Sequence, residues 1–173
     1  MQTTLFPIAV FTEISQADAN AKLIQWEHKM GAIERPNFGG DSFHGLLIHG
    51  ELVAVTASSR LIGETVGGCD HLDPPLTRDN TVELSRLCAA KHSLCRVVLR
   101  LWRETVFPTL KKDNAISYQD TKLHTGNTYR FDGWQKVGFS ASGTDARSGK
   151  KGRRKWIWLW PCRKLLTAPP APE

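Results

Sequence analysis

Residues 81–102 of the chain read TVELSRLCAAKHSLCRVVLRLW. The first ten are mostly apolar or small, without the alternation of a half-exposed strand, which is the pattern of a strand covered on both faces. From Ser93 the period changes. Leu94, Val97, Val98, Leu101, Trp102 and then Val106 recur at helical spacing, while Arg96, Arg100 and Arg103 fill an opposite stripe. This predicts an amphipathic helix capped by Ser93 and stopped before Pro108. A buried strand feeding a helix calls for a parallel partner strand, and AISYQD (115–120) provides it.

Working outward, HTGNTYRFDGW (124–134) reads as a short helix ending on Gly133, QKVGFSASG (135–143) as a strand, and ARSGKKGRRK (146–155) as a loop. WIWLWP (156–161) reads as a last strand with its three tryptophans on the buried side. Towards the N-terminus, Ser15 and Asp18 form a capping box before a helix whose face carries Ala19, Leu23, Trp26 and Met30 and which ends near Gly31. FHGLLIHGELVAVTASS (43–59) is a hairpin turning at His49-Gly50. Residues 63–80 have no period and make a long loop, a length usually kept for function. The fold class is α/β (α+β): a mixed central sheet flanked by helices, one domain over residues 1–167, with APPAPE (168–173) a disordered tail.

At 173 residues with 40% hydrophobic and 23% charged side chains, the chain is neither disordered nor fibrous. No run approaches the roughly 20 apolar residues of a membrane span, and the first residues carry no secretory signal, so the expectation is a cytoplasmic protein without a membrane partner. The four cysteines include no CxxC pair, which favours reduced thiols. Charge is divided: up to Ser85 there are 5 Lys/Arg against 11 Asp/Glu, and from Arg86 onward 18 against 6. The basic portion culminates in Arg147, Lys150, Lys151, Arg153, Arg154 and Lys155. Such a stretch fits the phosphates of nucleic acid, or simply a solvated loop beside a strand.

Tyr129-Arg130-Phe131-Asp132-Gly133-Trp134 followed by Gln135-Lys136-Val137-Gly138-Phe139 resembles the closing helix and strand of the GNAT superfamily of N-acetyltransferases. The strand and Arg-rich helix before it stand where that superfamily binds coenzyme A. The chain departs from the pattern at Ala89-Ala90-Lys91-His92-Ser93-Leu94, where the superfamily has a glycine-rich pyrophosphate loop. Within the superfamily, Trp26–Gly31, Glu83–Leu87, Tyr118–Asp120 and His124–Tyr129 resemble the phage Mom family, which modifies adenine in phage DNA against host restriction. The resemblance implies a phage-encoded transferase in the host cytoplasm that adds an acetamido group to adenine N6, with acetyl-CoA as donor and iron as a further cofactor. Its partner would be double-stranded DNA with the adenine flipped out. A homodimer is one of the oligomeric states left open. The alternative is an N-acetyltransferase that uses acetyl-CoA on a small-molecule or protein amine.

On this resemblance the catalytic set is Asp120, Arg86, Tyr129, Ser85 and His124, and the cofactor-binding set is Leu87, Cys88, Lys91, Ser93, Arg96 and Asn127. Tyr129 matches the tyrosine that protonates the leaving thiolate, or is a core residue. Asp120 ends a strand where α/β folds place their chemistry, or forms a turn. Arg86 in an apolar strand needs a carboxylate or anionic ligand, and Asp120 is the candidate. For iron the sequence offers His28 and His44, with Asp120 and His124, at no diagnostic spacing.

Overall fold

The computed structural model describes residues 8–34, 41–141 and 154–161. Its strands are β1 (Ala9–Glu13), β2 (Ser42–Ile48), β3 (Glu51–Arg60), β4 (Thr81–Ala89), β5 (Asn114–Asp120), β6 (Gln135–Ala141) and β7 (Arg154–Trp160). The helices are α1 (Gln16–Gln25), α2 (Ser93–Leu101) and α3 (Asn127–Phe131). The strands form one sheet in the order β1-β2-β3-β4-β5-β7-β6. β4 and β5 pair in parallel, and β1/β2, β2/β3, β5/β7 and β6/β7 are antiparallel. This is the mixed α/β sheet that the βαβ reading requires. Among the described residues, no helix is long and apolar enough to cross a membrane.

Backbone contacts divide the chain into two compact units. The first holds the residues up to Ser58 together with Arg86–Val106. Its hairpin turns where predicted: His49 and Gly50 both take positive φ, 51° and 81°, the geometry whose twist matches the flanking strands. β1 escaped the sequence reading because its five residues are exposed on both faces apart from half-buried Phe11, so no alternation marks it. α1 is capped as expected, Ser15 Oγ accepting from the Asp18 amide at 3.0 Å. It ends at Gln25, short of Gly31, because Glu27 takes a left-handed φ of 50°. Met30 therefore leaves the helical face, while Ala19 and Leu23 stay fully buried. In α2 the N-cap is His92 rather than Ser93, and it makes no side-chain cap bond. The buried stripe runs through Val98, Leu99, Trp102 and Val106, with Val97 exposed. The last turn widens into a π segment, Trp102–Val106, which lets Trp102 donate its indole N–H to Ser58 Oγ at 3.2 Å in the core.

The second unit holds Ser59–Ser85 and the residues from Phe107. Its core joins Ile116, Val137, Ile157 and Leu159 to Leu61, Val66, Cys69, Leu72 and Leu76 of the long connection. That connection is thus structural: each large apolar side chain it buries contributes about 1.5–3 kcal/mol, and Arg78 ties it down through the Leu61 carbonyl and an ion pair with Glu64. Gly68 and Gly138 meet backbone to backbone, and a Cβ on either would fall on the other segment's atoms. A 3-10 turn, Phe107–Leu110, takes Pro108 into helical structure. β7 starts at Arg154, so Arg154 and Lys155 belong to a strand and not to the expected loop. Its most buried side chains are Ile157 and Leu159. On the tryptophan side only Trp158 is buried, with Trp156 and Trp160 half-exposed, which corrects the expectation of a buried tryptophan face. Arg147, Lys150, Lys151, Arg153 and the 168–173 tail lie outside the described residues.

Candidate active site

Parallel pairing of β4 with β5 runs from Thr81 opposite Asn114 to Glu83 opposite Ile116 and stops there. The next carbonyl, that of Leu84, is met by a side chain: Ser117 Oγ donates to it at 2.9 Å. The strands fork at this point. A serine hydroxyl has a single proton. Since Leu84 takes it, the 2.8 Å bond between Ser117 Oγ and Tyr129 Oη is donated by the tyrosine. Tyr129 is the one buried residue of α3, and its ring lies on Trp158 (centroids 5.7 Å, 20° between planes) with Trp134 edge-on at 5.6 Å.

Gln119, two residues along the same face of β5, is 4% exposed. It accepts from Trp158 Nε1 at 2.9 Å and donates to the His124 carbonyl at 2.6 Å. Gly126 begins α3 with φ 80° because this pair leaves no room: a Cβ there would lie 2.5 Å from Gln119 Oε1 and 2.7 Å from Trp158. Asp120 shapes the turn. Its Oδ1 accepts from the Lys122 amide at 3.0 Å and its carbonyl accepts from the His124 amide at 3.1 Å. The His124 and Asn127 side chains are exposed.

Across β5, Tyr118 faces the other way. Burial, then Glu83 and Cys69, push its phenol well above the ordinary tyrosine range, so it remains protonated. The Lys155 ammonium lies 5.6 Å from its ring, and Ser85 pairs with Ser59 at 2.9 Å.

In the first unit, Arg86 Nε donates to the Gly31 carbonyl at 3.2 Å. Leu87 packs against the cluster of Leu46, Ala54 and Val98, and Cys88 is buried with Leu23 and Val55. Cys88 is thus a core residue, and Leu87 is half-buried beside the core. Lys91, Ser93 and Arg96 are exposed at the start of α2, whose first turn carries no acid and no side-chain cap. The Leu94 and Cys95 amides are taken by the Lys91 and His92 carbonyls at 2.9 and 3.1 Å, so what this end of α2 offers a phosphate is the exposed Lys91 and Arg96 cations and the Ser93 hydroxyl. The Ala90 amide is taken by the Val53 carbonyl and takes no part.

The iron expectation does not fit. His28 Nδ1 accepts from the Met30 amide at 3.3 Å. His44 stacks on Phe11 with Nδ1 buried and unpartnered, and burial lowers its pKa against the opposing pull of Glu13. Among the described residues, no three His, Cys, Asp or Glu side chains gather into a metal-binding group. Sequence reasoning passed over Ser117 and Gln119 as individual candidates. The legible signal was the polar pair Ser117 and Gln119, alternating in a strand that is otherwise buried.

No protein-family profile and no curated protein matches the chain. Solved structures do. A point mutant of the Vibrio cholerae spermidine N-acetyltransferase superposes with TM-score 0.61 at 6% identity, over 88% of this chain and 92% of that one. A probable GNAT-family acetyltransferase from Chromobacterium violaceum gives 0.59 at 11%, over 89% and 87%. A nourseothricin acetyltransferase gives 0.56 at 11%, over 91% and 100%. At these identities the likeness is one of fold: the chain has the fold of the GNAT acetyltransferases.

Proposed function

We propose that the chain is an N-acetyltransferase that uses acetyl-CoA on the amine of a small molecule or protein. The observation that carries this is the Tyr129 hydroxyl at the β4–β5 fork, with its proton already directed out of α3. The same fold occurs in a Vibrio cholerae spermidine N-acetyltransferase crystallised with CoA and spermine, which supports the reading. Acetyl-CoA supplies an activated acyl carbon and a thiolate leaving group. Tyr129 turns its proton from Ser117 to the sulfur as negative charge develops there. Glu83, half-buried and close enough to Tyr118 to act on its charge, takes the proton that the attacking amine must lose.

The test is CoA release from acetyl-CoA with polyamines, amino sugars and lysine peptides, with mass spectrometry of the acceptor. Tyr129→Phe should lower kcat by about 10²-fold or more with little change in KM. Full activity in Tyr129→Phe removes its role, and no product from any amine removes the reading.

The second reading is the Mom-type adenine modification. The register favours it: Lys155 stands opposite Asp120 and Trp156 opposite Gln119, which sets the basic start of β7 beside the C-terminal end of β5. Phe139 meets Trp156 edge-on at 5.0 Å, and the Lys136 ammonium lies 4.3 Å over the same indole, giving that end an aromatic and cationic face. Mass spectrometry of nucleosides from plasmid DNA in expressing cells separates the readings: a new adenine species supports this one, and ordinary adenine with an active amine acetylase rules it out.

A further inference from the structure

We infer that Gln119 is a positioning residue for Tyr129, acting through Trp158, and that Ser117 fixes the hydroxyl while Gln119 fixes the ring. This rests on the role proposed for Tyr129. α3 has five residues and no side-chain cap, and Asn127, Arg130 and Phe131 on it are exposed. An isolated segment of that length has almost no helical stability of its own. The place of Tyr129 is therefore set by what it touches, and two of those contacts lead back to β5, one directly and one through Trp158. The hydroxyl is bonded to Ser117, the ring lies on Trp158, and Trp158 is held by Gln119.

The side-chain amide of Gln119 has one orientation available. An indole N–H only donates and a carbonyl only accepts, so Oε1 must face Trp158 and Nε2 must face His124. One group thus joins the floor under the Tyr129 ring to the 120–126 turn that starts α3. Gly126 is required by the same pair. A catalytic group displaced by about 1 Å can lose roughly 10²-fold in rate, so this brace is where the geometry of the proton donor is stored.

Gln119→Glu tests this because its two protonation states differ in one respect. The protonated side chain keeps an acceptor for Trp158 and a donor for His124. The ionised one is acceptor-only and sets an oxygen against the His124 carbonyl. The charged or titratable groups around it are Asp120 beside it on β5, His124 in the turn, Tyr129 on α3, Lys136 on β6, 5.8 Å from the Trp158 ring, and Lys155 on β7. Each is present in wild type, so a variant-to-wild-type comparison cancels its own titration.

The readout is NMR of the Trp158 indole N–H and the Tyr129 ring signals, from low pH to about 9, in wild type and Gln119→Glu. Wild type should show no common titration. In the variant both sets should move together, with near-native positions at the acid end. Movement of Trp158 alone, or of neither, overturns the inference, and it does so whether or not any amine is acetylated. In parallel, the kcat of Gln119→Glu relative to wild type should fall about 10- to 100-fold as pH rises, with KM for acetyl-CoA unchanged. A ratio flat with pH also overturns it. If Gln119→Glu does not fold, Ser117→Ala and Ser117→Thr carry the test. Alanine should lower kcat and not KM, and threonine, which keeps the hydroxyl, should recover most of the loss. Equal losses in both overturn the hydroxyl brace. Absence of activity in wild type condemns the acetyltransferase reading and leaves the NMR result standing.

Discussion

Residues that looked chemical in the sequence divide according to what the fold asks of them. Asp120 was legible as a turn former or a member of the catalytic set, and its carboxylate accepts from a backbone amide two residues on. Cys69 and Cys95 are thiols that burial pushes up to about 12 and about 11. Neither can act as a thiolate nucleophile near neutrality. Iodoacetamide at about pH 8 should leave both unlabelled in the native protein and label both after denaturation, as peptide mapping would show. Native labelling at either would contradict its burial. His44 gives a pH effect with a definite sign. Burial holds its folded pKa below the unfolded value of about 6.5, so on acidification the unfolded chain takes up a proton first. The neutral imidazole's contribution is complete above that value and is lost as pH falls below it. Between about pH 7.5 and 5.5, the Tm of wild type should drop more than that of His44→Phe. Parallel curves would mean that burial of this ring carries no titration cost.

At the scale of elements, the α1 cap and the hairpin turn were read well, and the α2 cap and helix interiors less so. The Ser15 capping box and the His49-Gly50 turn need only neighbouring residues, so a single sequence shows them. The end of α1 depended on Glu27 leaving the helical region, and the buried stripe of α2 depended on how the helix rolls against its sheet. Neither is encoded locally. Ser15→Ala should cost about 1 kcal/mol in urea or thermal unfolding without altering turnover. Gly126→Ala should cost more, roughly 1–3 kcal/mol, since it combines a left-handed φ with a clash against Gln119 and Trp158. It should also lower kcat, because that clash bears on the floor beneath Tyr129. A Gly126→Ala protein with wild-type stability would show that the turn yields freely.

For the molecule as a whole, the βαβ order set the sheet and the tyrosine-containing helix pointed to the GNAT fold that the solved structures share. The site did not follow to the same depth. Tyr129 was singled out by its resemblance, whereas its neighbours Ser117, Gln119 and Trp158 come together only because β5 and β7 pair in one register and carry them on one face. Long-range pairing of that kind has no local signature. The charge division bears on the choice between acceptors, since phosphates would be drawn to the basic portion and amines would not. If nucleic acid is the partner, replacing Lys150, Lys151, Arg153, Arg154 and Lys155 by neutral residues should weaken DNA binding. It should also flatten a salt dependence whose slope, for four phosphates, is roughly −3.6. Amine acetylation should be untouched by that change. Equal DNA affinity in the two proteins would remove the basic segment from any role in binding.

The mutual approach of Gly68 and Gly138 has a consequence for ancestry. Two positions seventy residues apart share one allowance of space, so neither can drift to a larger residue unless the connection and the strand separate. Descendants that keep this packing should keep both positions small, and those in which one has grown should show the other's segment rebuilt or missing. Paired smallness at these positions would then distinguish this lineage among proteins of the same fold with which it shares almost no other letters.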